Sequence, residues 1–279
     1  MPDPVLPTFL IIGAGKCGTT SLWSYLDQHP DIGMSAIKEP SFFSSDEVHR
    51  RSLDWYGRLY NNCADKPVRG EASNSYSATD TWPHTIDRIA AALEKPKFLY
   101  IVRHPRARTE SDFMQMSKLR EVEFSGFLRT EPVHADKNMY LRTYERYVER
   151  FGEDRLMVLF YDDLRADTAG LLRSVCEFLG VDPDFPFDTS QQHGQSAQAR
   201  KFLFGLGALR RTTLYADLSL ALPGGMKNAL RSVLSRSHEV RRPIWSHEDR
   251  DWFRSRYEAP SRAFLERVGR DPGQWTWEN

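Results

Sequence analysis

An apolar run that passes straight into a glycine-rich turn and then a helix restricts the fold of this 279-residue sequence more than any other feature. Phe9-Leu10-Ile11-Ile12 is followed by Gly13-Ala14-Gly15-Lys16-Cys17-Gly18. Leu22, Tyr25 and Leu26 then fall on one helical face before Pro30 ends the segment. The pattern predicts a strand over Thr8–Ile12 and a helix from Thr19 to His29. Two more apolar runs, Lys97–Val102 and Leu156–Tyr161, read as buried strands. Helical stretches are expected over Thr85–Leu93, Pro105–Lys118, Asn138–Phe151 and Ala169–Leu179, the last with Gly180 as C-cap. Strands alternating with helices predict an α/β fold, a three-layer α/β/α arrangement around a central parallel sheet. The Pro223-Gly224-Gly225 stretch reads as a loop, so one domain is expected over residues 1–279.

Charge narrows the function classes. Lys+Arg and Asp+Glu are both 38, so the formal net charge is zero. A general nucleic-acid binder is normally basic overall, and that class is set aside. The charge is unevenly spread, however. Residues 200–242 carry nine Lys/Arg against two acids, while 151–190 carry nine acids against three arginines. Two solvated faces are the ordinary reading; a basic segment lying over an anionic ligand is the sharper one. Cys17, Cys63 and Cys176 are too few and scattered for a disulfide framework or a zinc site, and they fit a reducing compartment. No run approaches the roughly 18 apolar residues of a membrane span. Met1 to Thr8 lacks a positive n-region. The expectation is a cytoplasmic protein with no membrane span.

The glycine turn has the makings of an anion cradle. Backbone N–H groups converge at the start of a helix, whose dipole adds partial positive charge. Lys16 adds a full charge, and Thr19 and Thr20 add hydroxyls. The nucleotide-triphosphate pattern G-x-x-x-x-G-K-[ST] fits poorly: counted from Gly13, Thr19 occupies the lysine position, and the lysine comes earlier, at Lys16. A magnesium-holding acid is also expected at the end of a neighbouring strand. Lys97–Val102 is followed by Arg103 instead. The site therefore reads as metal-free, with an anion balanced by protein cations. Arg103 and Ser111, eight residues apart, are placed to meet on a second phosphate. Arg106 and Arg108 are expected to face solvent.

These segments, in order, resemble the sulfotransferases that use 3′-phosphoadenosine 5′-phosphosulfate (PAPS), and in particular the carbohydrate-type branch with its heparan-sulfate enzymes and bacterial relatives. The matching residues are Lys16-Cys17-Gly18-Thr19-Thr20, Lys38-Glu39-Pro40-Ser41-Phe42-Phe43, Gly70-Glu71-Ala72-Ser73-Asn74-Ser75-Tyr76 and the Arg103–Ser111 element. Tyr161-Asp162-Asp163-Leu164, Phe178-Leu179-Gly180 and the tail from Arg242-Pro243 through Tyr257, Leu265 and Gly269 to Trp275 agree with it. The resemblance implies that Lys16, Cys17, Gly18, Thr19, Thr20 and Ser21 hold the 5′-phosphosulfate, with Lys16 also catalytic. It implies that Arg103 and Ser111 hold the 3′-phosphate and that Glu39 is the catalytic base. Glu71 and Ser73 are assigned to the acceptor. Ser196, Arg200 and Lys201 are the best placement for the late nucleotide-contacting loop. Where family members often carry a lysine after the Glu of this third segment, Ala72 stands here.

The implied reaction is sulfonyl transfer from PAPS to a hydroxyl or amine of a carbohydrate, lipid or small natural product, without a metal, leaving the bisphosphate PAP. A P-loop-type small-molecule or nucleoside kinase is the alternative enzyme, and a non-catalytic nucleotide-binding module the alternative class. His104 and Glu71 rival Glu39 as base. Pro40 biases the residue before it toward extended backbone, which would set the direction of Glu39. Trp23 is either an adenine-stacking residue or core. Trp55, Tyr56, Trp82 and the segment Phe202–Tyr215 either line an acceptor pocket or belong to the core. Acceptor identity and oligomeric state stay open at this point.

Overall fold

The computed structural model describes residues 4–118, 120–190 and 242–277, together with the backbone of 201–202 and 235–236. Five strands form one parallel sheet: β1 (Phe9–Gly13), β2 (Ile32–Met34), β3 (Val68–Ala72), β4 (Lys97–Val102) and β5 (Leu156–Phe160). Their spatial order is β2-β3-β1-β4-β5. Among the described residues the flanking helices are α1 (Thr19–Leu26), α2 (Asp46–His49), α3 (Leu53–Gly57), α4 (Thr85–Ala92), α5 (Pro105–Ser117), α6 (Phe124–Thr130), α7 (Pro132–Asp136), α8 (Tyr140–Phe151), α9 (Tyr161–Ala166), α10 (Thr168–Leu179) and α11 (His247–Arg267). A two-residue antiparallel pair joins Lys201–Phe202 to Ser235–Arg236.

This is the expected α/β/α architecture, and its topology places the site. From β1 the chain builds β2 and β3 on one side, then crosses to β4 and β5 on the other. Ligands in open parallel sheets bind outside the carboxyl ends of the strands where the order reverses. Here that point is the end of β1, between β3 and β4, where the glycine turn begins.

The three apolar runs are strands as expected, but β2 and β3 were hidden. β3 reads Val-Arg-Gly-Glu-Ala, so two charges and a glycine interrupt its apolar pattern. Gly70 is required because a Cβ there would lie 2.2 Å from Phe9 Cζ. α11 was also missed. It carries Pro260 in its interior, which breaks the helical reading. Phe264 and Leu265 of α11 are fully buried in the same core as the sheet, with Phe264 5.6 Å from the Tyr140 ring of α8. Several expected ends shift by a residue or two, and α1 stops at Leu26 rather than His29. No described helix is long and apolar enough to cross a membrane.

Candidate active site

The turn after β1 is built by backbone conformations that side chains resist. Gly13, Lys16 and Gly18 all have positive φ, at 142°, 71° and 97°. At Gly13 a Cβ would lie 2.4 Å from Ser77 Oγ, and at Gly18 2.9 Å from the Tyr161 ring. The turn thus has no room for side chains where it contacts β3's continuation and α9. Gly18 caps α1 without a side-chain hydrogen bond, and no acid occupies the first turn. A helix start without a side-chain cap or a first-turn acid suits an anion, which the helix dipole favours.

Lys16 is half-buried beside this helix end. Its Nζ donates to Gln115 Oε1 of α5 at 2.7 Å. Burial lowers its pKa from the usual lysine range, with Asp112 opposing that and Lys118 and Arg108 adding to it. An anion arriving in the turn would relieve that penalty. Thr19 is buried, Thr20 exposed and Ser21 half-buried.

Cys17 does not line the cradle. Its side chain is fully buried, its N–H donates to Ala14 O at 3.3 Å, and its Sγ lies 3.7 Å from Gly15 O. Burial pushes the thiol up to about 12. The Cys17 side chain thus packs in the core beneath the turn.

Glu39 reaches the turn through Asn74. Asn74 Nδ2 donates to Glu39 Oε1 at 2.5 Å, and the Asn74 backbone N–H to Oε2 at 3.4 Å. The same amide lies against the turn: a Cβ on Gly15 would sit 3.1 Å from Asn74 Oδ1. Lys38 also pairs with Glu39 Oε1 at 2.9 Å, and the Glu39 side chain keeps 34% of its surface exposed. Its backbone is not extended, contrary to the expectation from Pro40. Glu39 has φ of 62° and Ser41 55°, both left-handed. The Glu39 N–H donates to Ala72 O at 2.9 Å, and this tie to the end of β3 directs the residue. Phe42 and Phe43 lie in the core, with Phe42 stacked 4.4 Å from Tyr56.

Glu71 and Ser73, expected at the acceptor, lie inside the fold. Both are completely buried. Glu71 Oε1 accepts from Tyr56 Oη at 2.7 Å and Tyr76 Oη at 2.6 Å, and Oε2 accepts from Ser73 Oγ at 2.5 Å. Desolvation raises its pKa to about 7, against the three hydroxyls that favour the anion. The cage holds the Glu39 segment from below. Ser73 Oγ accepts from the Ser41 N–H at 2.9 Å, and Tyr76 Oη from the Phe43 N–H at 3.3 Å. Glu71 is therefore a positioning residue for the segment that carries Glu39.

Arg103 closes the other side. Its guanidinium lies 4.7 Å over the Tyr161 ring, and that ring's edge faces Gly18. Ser111 is buried two turns into α5. His104 is not placed to be a base: its Nδ1 caps α5 by accepting from the Arg106 N–H at 3.0 Å, and its Nε2 lies 2.9 Å from Thr276 O. Arg106 stays near the surface, paired with Glu110 and stacked on Trp245. Arg108 overturns the solvent expectation. It is fully buried, bonded to Asp112 at 2.9 Å, to His134 O at 2.8 Å and to Asn138 Oδ1 at 2.5 Å. Trp23 packs on the core, Trp55 and Tyr56 belong to it, and Trp82 is half-buried. Ser196, Arg200 and most of Phe202–Tyr215 lie outside the described residues; Lys201 is described by its backbone alone.

Sequence reasoning missed Asn74 as a link, although it lies within the quoted Gly70–Tyr76 segment. It missed Lys137 altogether: Lys137 Nζ donates to Asn74 Oδ1 at 2.9 Å. Nothing local marks that lysine, which arrives from a separate part of the chain.

The fold is thus an open parallel α/β sheet with a lysine in the turn after β1 and an arginine following the neighbouring β4. Comparison with known proteins fixes the family. The sulfotransferase domain family model matches residues 6–201, and the chain belongs to that family. It is 26% identical over 279 residues to heparan sulfate glucosamine 3-O-sulfotransferase 3A1 of Mus musculus, covering 96% of this chain and 64% of that one. It is 27% identical over 192 residues to heparan sulfate glucosamine 3-O-sulfotransferase 5 of Homo sapiens, covering 64% and 54%. The chain thus spans about half to two thirds of the length of these curated relatives. A solved sulfotransferase from Alicyclobacillus acidocaldarius shares the fold, with a TM-score of 0.69 and 24% identity over 97% of this chain and 98% of that one.

Proposed function

We propose that this chain transfers a sulfonyl group from PAPS to a hydroxyl of a carbohydrate or similar acceptor. The observation that carries the reading is the Asn74 amide, which ties the Glu39 carboxylate to the glycine turn. A proton acceptor beside an anion cradle is what attack of a hydroxyl on a bound sulfonyl group requires. The residues fit PAPS. Lys16 and the α1 N-terminus would hold the 5′-phosphosulfate, and Arg103 with Ser111 the 3′-phosphate. Glu39 takes the acceptor's proton as its oxygen bonds to sulfur. The sulfur–oxygen bond to the 5′-phosphate breaks, and PAP leaves with that electron pair. Lys16 offsets the charge that grows on the leaving oxygen. The carbohydrate acceptor is favoured by the heparan-sulfate relatives, and the kinase reading is weakened by Arg103 at the end of β4, where a magnesium-holding acid is expected.

Two measurements test this. PAP without metal should raise the melting temperature, because a ligand bound only by the folded state stabilises it. Glu39→Gln keeps the shape and removes the basicity, so PAP binding should persist while sulfonyl transfer collapses. Normal turnover by Glu39→Gln would remove Glu39 from the mechanism.

A further inference from the structure

Lys137 is a half-buried cation with no described carboxylate in ion-pair contact. It follows α7 on the polypeptide, and its Nζ donates to Asn74 Oδ1 at 2.9 Å. Among the described residues no carboxylate lies within ion-pair distance of its Nζ. Three acids act on it from farther off, Asp112, Glu39 and Asp136, with Arg108 opposing them. Each of these acids is already engaged. Asp112 is bound by Arg108 at 2.9 Å and by His134 at 2.5 Å. Asp136 is bound by Arg142 at 2.5 Å and by the Thr81 N–H at 2.9 Å. Glu39 is bound by Lys38 and Asn74. A neutral amide oxygen is a weak counterpart for an ammonium partly withdrawn from water, and an anion would satisfy it better. Burial accordingly lowers the Lys137 pKa from the usual lysine range.

The position gives that charge a purpose. Asn74 carries Lys137 on its Oδ1 and Glu39 on its Nδ2, and the same amide lies against Gly15 of the turn. Ala72, at the end of β3 on this side, supplies no charge. We infer that Lys137 is a catalytic residue whose ammonium binds the oxygens of the transferring sulfonyl group, opposite Lys16. This rests on the sulfotransferase reading of the site. While the acceptor oxygen bonds to sulfur and the bond to the 5′-phosphate breaks, the sulfonyl oxygens stay anionic. Lys137 holds them throughout, and Lys16 serves the leaving oxygen. Neither lysine gives up a proton; the acceptor's proton goes to Glu39.

PAPS carries the sulfonyl group and PAP lacks it, so their affinities separate this role from a structural one. Acceptor-free protein is titrated with each nucleotide by calorimetry. Lys137→Met should weaken PAPS binding about tenfold or more, the loss expected for one charge-assisted contact, and leave PAP binding within about twofold. Lys137→Arg, which keeps the charge, should recover part of the PAPS affinity and serves if the Met variant does not fold. The shift should persist in an Asn74→Ala background, since Lys137 acts on the ligand and not through Asn74. An unchanged PAPS-to-PAP ratio, or a shift that vanishes without Asn74, overturns the inference while leaving the sulfotransferase reading intact. Failure of the wild-type protein to bind either nucleotide overturns both.

Discussion

Glu71 gives the sharpest quantitative expectation. The carboxyl is fully enclosed, and burial raises its pKa from the ordinary 4.5 to about 7. Between those values the folded protein holds a proton that the unfolded chain has released. Stability therefore falls as pH rises through this window, the reverse of the usual carboxylate. About 1.4 kcal/mol per unit over that span makes the penalty on the order of 3 kcal/mol, complete once pH exceeds about 7. Glu71→Gln removes the ionisation. The amide oxygen still accepts from Tyr56 and Tyr76, and the amide nitrogen replaces the oxygen that faced Ser73. Urea unfolding of both proteins at pH 5 and pH 8 isolates the effect, because every other titrating group cancels in the difference. The variant should gain on the order of 3 kcal/mol relative to wild type on going from pH 5 to pH 8. Parallel pH dependence of the two proteins would refute the argument that Glu71 is a costly buried anion. PAP affinity should be the same in both, since Glu71 touches the segment carrying Glu39 and not the turn.

Two further substitutions probe the anion site. Lys16→Ala should lower turnover by roughly a hundredfold or more, as loss of one donor at a developing negative charge does elsewhere; near-normal single-turnover rates would remove Lys16 from the reaction. Arg103→Ala should weaken PAP by about 1.5–3 kcal/mol and spare adenosine 5′-phosphosulfate, which lacks the 3′-phosphate. Equal weakening of both ligands in that titration would make Arg103 a support for Tyr161 instead.

What the sequence disclosed follows from what is local. β1, the glycine turn and α1 combine an apolar run, positive-φ glycines and a helical stripe within a short stretch, so their shape was legible. β3 was not, because its signal is tertiary: Gly70 is dictated by the Phe9 ring, and Glu71 is tolerated because three hydroxyls from Tyr56, Ser73 and Tyr76 surround it. Arg108 misled for the same reason. Its partner Asp112 lies one helical turn on, but His134 and Asn138 come from elsewhere in the chain. Glu39 was located by family resemblance, and the reasoning from Pro40 about its backbone failed. Proline restricts its predecessor on average, whereas here the Ala72 carbonyl and the Ser73 hydroxyl fix the segment on both sides of Glu39.

The distribution of strained backbone joins these observations. Five described non-glycine residues have positive φ: Lys16, Glu39, Ser41, Ser52 and Lys95. Ser52 caps α3, and Lys95 sits in the turn before β4. The remaining three belong to the anion turn and to the segment carrying the proposed base. Left-handed backbone at such residues costs on the order of 1–3 kcal/mol each and persists only where the surroundings over-determine it. Those surroundings are identifiable. Lys16 lies between Gly15, whose Cβ position is crowded by Asn74, and Gly18, whose Cβ position is blocked by Tyr161. Glu39 and Ser41 are tied to Ala72 and to the Glu71 cage. The buried carboxyl thus does more than weaken the fold at high pH. Its acceptance of the Ser73 proton leaves the serine oxygen turned toward the Ser41 N–H. That contact keeps Glu39 beside the turn in a conformation the free chain would avoid.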